Sequence, residues 1–249
     1  MRTEKYAFAG LVFAFHLPLP LLENEMTRAF LVPDDRETDF VVEICQEEGE
    51  IDPLHPVRTL RDGNILRVYM DVSLLPGVTA FGLLCGIDAA WILPERGRFM
   101  LHASYIVHCG EAILFAAPSE TGKSTQARFW RDERGAEIVN EDRVILSRED
   151  GVFYAHGAWA MGTAGVTENV SAPLRAVVLL GQGEENRVYE PSVGEKLRRL
   201  VPQCTFKAGD MAEQIRIIDR VTELIEGARI VAFDCLNDPG AVDVLEESI

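Results

Sequence analysis

The chain has 249 residues, of which 47% are hydrophobic and 26% charged, so it can bury a packed core. Its formal net charge is −16, which argues against binding to nucleic acid or to an anionic membrane surface, because both need a basic face. We therefore expect neither partner.

The cysteines indicate a reducing compartment. All five are scattered along the chain without the CxxC spacing of a zinc site, and we interpret them as reduced, mostly buried thiols. Pro18 and Pro20 interrupt the first apolar run, and no signal-peptide cleavage pattern stands out. We expect a cytoplasmic protein, with its oligomeric state left open between a monomer and a homo-oligomer.

Residues 1–97 predict a β-rich N-terminal region. Apolar or alternating runs bounded by turn residues predict strands at 6–15, 39–45, 65–71, 78–85 and 90–93. The sequence Pro94-Glu95-Arg96-Gly97 is the predicted boundary to the next domain. Nothing in this region indicates chemistry.

Residues 98–249 predict a mixed α/β domain. Strands are expected at 99–108, 112–116, 136–139, 143–147, 152–154, 176–180 and 230–234. Helices are expected from 124 to 130, from Ser192 with a capping box at Glu195, from Asp210 to Gly227, and after Asp238-Pro239.

One segment of this domain matches the phosphate-binding pattern G-x4-G-K-[ST], with alanine in place of the first glycine. It consists of Ala117, Pro118, Ser119, Glu120, Thr121, Gly122, Lys123, Ser124 and Thr125. A predicted strand precedes it and a predicted helix follows, so backbone N–H groups and the helix N-terminus would bind phosphate. Lys123 would reach the β- and γ-phosphates of ATP, and the Ser124 hydroxyl would hold Mg²⁺.

Glu120 stands where many such loops have glycine, because backbone close to phosphate tolerates little side chain. The expected arrangement is an outward-pointing carboxylate. The alternative is a loop whose affinity is weakened by repulsion.

A second polar cluster, Asn140-Glu141-Asp142-Arg143, follows the short predicted strand at 136–139. In phosphate-loop proteins a carboxylate beside the loop orders magnesium, and a carboxylate can also accept the proton of an attacking hydroxyl. Adjacent residues of an extended backbone point to opposite faces, so the two acids would have different roles. The alternative is an ordinary acidic turn.

Other candidates carry less specific patterns. His102 lies within an apolar strand, where it is either a hydrogen-bonded core residue or a catalytic one. His156 and Trp159 suit a loop on the acceptor side or the packed end of a hairpin. Three arginines are candidates for stabilising phosphate charge, and their spacing does not select among them: Arg128, Arg143 and Arg175.

The order of His102, the Gly110 turn, the phosphate-binding pattern and the VNEDRV stretch resembles the catalytic domain of the HPr kinase/phosphorylase family, from about residue 98 to the C-terminus. The chain looks most like the smaller relatives of that enzyme. The resemblance implies a phosphate-loop fold shared with phosphoenolpyruvate carboxykinases and transfer of phosphate from ATP to a serine hydroxyl.

The same resemblance implies site roles. Lys123 would be the phosphate lysine, and Ser124 and Asp142 would hold Mg²⁺. Glu141, Asp142 and His102 would be catalytic, with Glu141 nearer the acceptor hydroxyl. Glu141 is one methylene longer than the family's aspartate, and the segment that binds the HPr protein is not recognisable, so HPr is not the expected acceptor.

The sequence therefore predicts a kinase that uses ATP and Mg²⁺ to phosphorylate a hydroxyl of a peptide, protein or small molecule. The alternative is a non-catalytic module that senses a nucleotide or supports a biosynthetic system. Ala117 and Glu120 favour this alternative, because they depart from the usual loop pattern.

Overall fold

The computed structural model describes residues 2–48, 57–87, 89–160, 165–206 and 210–249. The chain divides into two compact units, Met1–Ala89 and Ala90–Ile249. The division lies a few residues before the boundary at residue 97 that the sequence suggested. Within the described ranges, no helix combines the length and the hydropathy needed to cross a membrane.

In its described residues, the first unit contains one mixed sheet and two short α-helices. Its elements are β1 (Arg2–Phe8), β2 (Leu11–Leu17), α1 (Glu25–Arg28), β3 (Leu31–Val32), β4 (Phe40–Gln46), β5 (Arg58–Asp62), β6 (Ile65–Met70) and α2 (Ala80–Gly86). The strand order is β3-β1-β2-β4-β6-β5. The β2–β4 and β4–β6 pairs are parallel, and the other pairs are antiparallel. Stacked and edge-on rings of Phe8, Phe13, Phe30, Phe40 and Phe81 fill its core.

Three of the predicted strands differ in the structure. Residues 78–85 fold mainly into α2, which begins where the Thr79 hydroxyl accepts a hydrogen bond from the Gly82 N–H. Residues 90–93 lie in 3₁₀ turns, and residues 6–15 form a hairpin that turns at Ala9 and Gly10. A short apolar run does not distinguish a strand from a buried helix, which explains the error at 78–85.

The second unit is a mixed α/β domain, which is the fold class that the sequence predicted for residues 98–249. Its elements are β7 (Arg98–His108), β8 (Glu111–Ala116), α3 (Lys123–Arg134), β9 (Glu137–Asn140), β10 (Arg143–Glu149), β11 (Val152–Gly157), β12 (Ser171–Gln182), β13 (Arg187–Tyr189), α4 (Val193–Leu200), α5 (Met211–Gly227), β14 (Ile230–Cys235) and α6 (Ala241–Glu246). The strands follow the order β11-β10-β7-β8-β12-β14-β13, and β9 also pairs with β7.

Five strands of this unit close into a ring. β11 pairs with β10 through the register Val144↔Gly157 and with β12 through His156↔Ser171, while β7 and β8 complete the circuit. From β12 the sheet continues in parallel to β14.

Side chains alternate along each strand, so both faces of this sheet carry apolar residues. Helices cover both faces. On one face Leu101 and Leu114 pack with Val221 of α5. On the other, Phe115 and Val178 pack with Trp130 of α3 and with residues of α6. The layers fix α3, and therefore the loop that precedes it, against the carboxyl end of β8.

Candidate nucleotide-binding site

Residues 117–122 connect β8 to α3, and we refer to them as the candidate phosphate loop. Gly122 occupies the N-cap of α3 with a φ of 105°, a left-handed conformation that favours glycine. It offers no side chain to cap the helix, so the first N–H groups of α3 can receive an anion. The 12-residue helix also directs the positive end of its dipole to this point.

The side chain of Lys123 is hydrogen-bonded to the backbone of this loop. Only 7% of its surface is exposed, and its Nζ lies 2.9 Å from the carbonyl oxygen of Ala117 and 3.1 Å from that of Pro118. Burial lowers the pKa of Lys123, the charge of Asp142 raises it, and Arg143 lowers it again.

Glu120 lies exposed in the loop with a φ of 65°. The side chain points to solvent, as one of the two sequence-based interpretations expected. A non-glycine residue in the left-handed region costs about 1–2 kcal/mol, so the backbone here is strained relative to a glycine-containing loop.

The acidic cluster is an interruption between two strands that pair with the same partner. Asn140 of β9 lies opposite Tyr105 of β7, and Arg143 of β10 lies opposite His102, so Glu141 and Asp142 fall in the gap. The Asn140 Oδ1 accepts hydrogen bonds from the N–H groups of Asp142 at 2.8 Å and Arg143 at 2.9 Å.

Asn140 is the residue that shapes this turn. It is fully buried, and its Nδ2 lies within hydrogen-bond distance of the carbonyl oxygens of Ala158 and Ala160 and the hydroxyl of Thr167. The sequence drew attention to the cluster but assigned no role to this amide. Such a role depends on residues 18 to 27 positions away in the chain, which no local pattern reveals.

Asp142 points to the side of the turn that carries positive charge. Its Oδ1 lies 3.3 Å from Nε2 of His102, and its Oδ2 lies 3.6 Å from Nε of Arg143. The hydrogen bond from His102 lowers the pKa of Asp142 most, burial opposes it, and Arg143 and Lys123 lower it further. The Nδ1 of His102 in turn lies 3.1 Å from Gln203 Oε1.

Glu141 points elsewhere, so the two acids diverge. Its side chain is 5% exposed, and Oε1 lies 3.5 Å from Nη2 of Arg128 on α3. That oxygen forms no hydrogen bond with any described residue. The placement of Glu141 beside the acceptor hydroxyl remains a prediction.

Ser124 is the second residue of α3 and is partly buried. In the described part of the chain, no group of three or more His, Cys, Asp or Glu side chains is arranged to hold a metal. Magnesium in phosphoryl-transfer sites is commonly held by one or two protein oxygens together with substrate phosphates. Ser124 and Asp142 are chemically suited to that sharing, and their joint role as metal ligands remains a prediction.

His156 belongs to a separate hydrogen-bond network. Its Nε2 lies 2.8 Å from the hydroxyl of Ser147 and its Nδ1 lies 2.7 Å from that of Ser171, while the Ser147 hydroxyl donates to Glu149. Burial lowers the pKa of His156 to about 4. The geometry supports the packed-hairpin interpretation of this residue.

The arginine candidates separate by their contacts. Arg143 contacts Asp142 and Arg128 contacts Glu141, so both arginines interact with the acidic turn. Arg175 instead donates from Nη2 to the carbonyl oxygen of Ile249 at 2.8 Å. Arg143 is therefore the arginine placed with Asp142.

A cavity of about 400 Å³ adjoins residues 120–122 of the candidate phosphate loop. It lies outside the carboxyl ends of the parallel strands β8, β12 and β14, where ligands bind in open α/β sheets. It is lined by Glu120, Thr121, Gly122, Thr125, Gln126, Leu180, Gln182, Gly183, Cys235, Leu236 and Asn237. Sequence analysis missed it because the strand ends carry no motif.

No protein-family model matches this sequence, and no curated protein matches it. Among solved structures, the chain is similar to the HPr(Ser) kinase/phosphatase from Coxiella burnetii, with 17% identity and a TM-score of 0.27. The match covers 51% of this chain and 97% of that one.

Proposed function

We propose that the second unit binds ATP with Mg²⁺ at the candidate phosphate loop and transfers the γ-phosphoryl group to a hydroxyl, with serine the expected acceptor residue. The observation that carries this proposal is the buried Lys123 at the N-terminus of α3, behind a glycine that leaves this helix end uncapped. Burial lowers the pKa of Lys123, and the charge of Asp142, in the turn between β9 and β10, raises it. A phosphate site needs the first group and a metal-assisted transfer needs the second.

Phosphate binding would use groups that are already in place. The N–H groups at the start of α3 would receive phosphate oxygens, and Lys123 Nζ would exchange the carbonyls of Ala117 and Pro118 for charged oxygens. Bound Mg²⁺, held by Ser124 and Asp142, would neutralise charge on the phosphates.

The acceptor would approach the Asp142 side of the loop. Phosphoryl transfer depends on positioning and charge neutralisation more than on a strong base, so a carboxylate with a lowered pKa is compatible with it. Asp142 would orient the hydroxyl or the metal. His102 and Arg143 would keep this carboxylate ionised and in place.

Calorimetry with MgATP tests the binding half of the proposal. The protein should bind ATP, and Lys123→Met should remove most of that binding. Lys196→Met is a matched control. Lys196 is also a buried lysine, but it lies on α4 and pairs with Glu190. Absence of heat at millimolar ATP would overturn the proposal.

The transfer half is tested by ADP formation that depends on an added acceptor, beginning with a screen of serine-containing peptides. A second function, nucleotide binding without transfer, is favoured by one observation: Glu141, the expected base, is buried, and its Oε1 lies 3.5 Å from Nη2 of Arg128. Tight ATP binding without acceptor-dependent ADP formation across peptide and small-molecule screens would support this second function.

A further inference from the structure

The amide of Asn140 joins the acidic turn to the segment that follows β11. Asn140 is the last residue of β9 and is fully buried. Its Oδ1 accepts the N–H groups of Asp142 at 2.8 Å and Arg143 at 2.9 Å. Its Nδ2 donates to the carbonyl oxygens of Ala158 at 3.3 Å and Ala160 at 3.0 Å. Both ends of the amide are therefore hydrogen-bonded to backbone.

The chemistry of these partners allows only one orientation of the amide. A backbone N–H can only donate a hydrogen bond, and a carbonyl oxygen can only accept one. Turning the amide over would direct its NH₂ group at two N–H donors and its oxygen at two carbonyl oxygens, so all four hydrogen bonds would be lost. Asn140 therefore holds the turn with no alternative arrangement of its own side chain.

The backbone of the turn is also hydrogen-bonded to β7. The N–H of Ala103 donates to the carbonyl oxygen of Asp142 at 3.1 Å. The hydroxyl of Ser104, which is fully buried, donates to the carbonyl oxygen of Glu141 at 3.1 Å. Together with the bonds to Asn140, these contacts use both carbonyls of the acidic pair and two N–H groups of the turn. The acidic side chains thus extend from a backbone that is hydrogen-bonded on both sides.

A fixed backbone matters for a carboxylate that shares a metal ion with a nucleotide. Mg²⁺ takes oxygen ligands at about 2.0–2.1 Å in near-octahedral geometry, so it tolerates little displacement of a ligand. Asn140 accepts from the backbone N–H of Asp142 and not from its side chain. Its effect on a metal would therefore pass through the position of Asp142.

We propose that Asn140 and Ser104 are positioning residues of the transfer site, which hold the acidic turn so that Asp142 can bind Mg²⁺ together with the nucleotide. This inference rests on the proposed function. It adds two residues, outside the phosphate loop and the acidic pair, that determine magnesium-dependent binding. Hydrogen bonds that orient metal ligands typically contribute about 10–100-fold to metal affinity or activity.

The test measures ATP affinity by calorimetry with and without Mg²⁺, and the ratio of the two affinities is the magnesium enhancement. Asn140→Ala should reduce this enhancement about tenfold. Ser104→Ala should reduce it about threefold, the effect of one net hydrogen bond. ATP affinity without Mg²⁺ should stay unchanged in both variants, because Lys123 and the N-terminus of α3 would bind the phosphates without the metal. If Asn140→Ala does not fold, Ser104→Ala carries the test.

A double-variant cycle separates positioning from a general loss of structure. If Asn140 acts through Asp142, Asn140→Ala combined with Asp142→Asn should lose no more enhancement than Asp142→Asn alone. Ser147→Ala is the matched control for Ser104→Ala and should keep the full enhancement. Ser147 is also a buried serine on a strand of the ring, but its hydroxyl bonds within the His156 network.

The proposed function and the positioning role fail differently. If the parent does not bind ATP, or binds it without magnesium enhancement, the proposed function is wrong and the positioning role falls with it. If the parent shows the enhancement and a folded variant keeps it in full, only the role of that residue is wrong. An additive loss in the double variant would also overturn the role of Asn140, because the effect would then not pass through Asp142.

Discussion

The imidazole Nε2 of His102, on β7, and the carboxylate Oδ1 of Asp142, in the turn between β9 and β10, approach to 3.3 Å. The partner of His102 in the β7–β10 register is Arg143, the residue after Asp142. The histidine therefore contacts the acidic turn from the neighbouring strand, and the Asp142 carboxylate lies beside both His102 and Arg143.

Asp142→Asn tests this arrangement. It should weaken magnesium-dependent ATP binding about tenfold or more, because one charge-assisted contact is worth about 1.5–3 kcal/mol. The folded-state pKa of Asp142 is lowered, so its stabilisation is present above its unfolded value of 3.8 and is lost as pH falls through the folded value. The stability difference from the parent, followed by urea unfolding, should therefore shrink below about pH 4. Asp219→Asn on α5 is the control, and unchanged calorimetric affinity in Asp142→Asn would contradict the metal role.

Glu141→Gln tests whether the second acid is a base. If Glu141 accepts the proton of the acceptor hydroxyl, the variant should bind ATP normally and lose phosphoryl transfer, because an amide cannot accept that proton. A turnover assay with an acceptor found by the peptide screen measures this. Full activity combined with a lower melting temperature would show instead that Glu141 serves α3 through Arg128.

Glu120→Gly should relieve the left-handed backbone at residue 120. The gain is about 1 kcal/mol at most, since glycine also increases the freedom of the unfolded chain. ATP affinity should stay the same or tighten slightly, because an exposed charge contributes little in water. Thermal unfolding and calorimetry measure the two effects. A large loss of affinity would implicate Glu120 in metal binding.

The buried His156 predicts acid sensitivity. Its pKa is 6.5 when unperturbed and about 4 in the folded protein, so the unfolded chain gains a proton below pH 6.5 that the folded chain takes up only near pH 4. Stability is therefore lost as pH falls, by about 2 kcal/mol between pH 7 and pH 5. Between pH 7 and pH 5, the free energy of unfolding of His156→Gln should fall by about 2 kcal/mol less than that of the parent, as measured by chemical unfolding. Equal losses in both proteins would contradict the lowered pKa.

The strongest sequence patterns predicted structure best. The capping residues Ser192 and Asp210 accept the N–H groups of Glu195 and Glu213 as expected, because a cap is a local interaction. The last helix begins at Ala241 and not directly after Pro239, since the Asp238 carboxylate first accepts the N–H of Gly240 in a turn. The helix at 80–86 was missed because tertiary burial of its apolar residues decided between helix and strand.

For the candidate site, the sequence found the groups but not their neighbours. The loop and the acidic turn are contiguous segments, so pattern matching could find them. The contact of His102 with Gln203 and that of Gln126 with Cys235 each join residues about 100 positions apart. Tertiary packing brings such pairs together, and a single sequence contains no local signal of contacts at that separation.

The strand ring has a mechanical consequence. The strand that leads into the candidate phosphate loop, β8, and the strand that leaves the acidic turn, β10, are both hydrogen-bonded along β7. A hinge that moves β8 away from β10 would require breaking one of these ladders, so the shared strand β7 limits how far these two strands can separate.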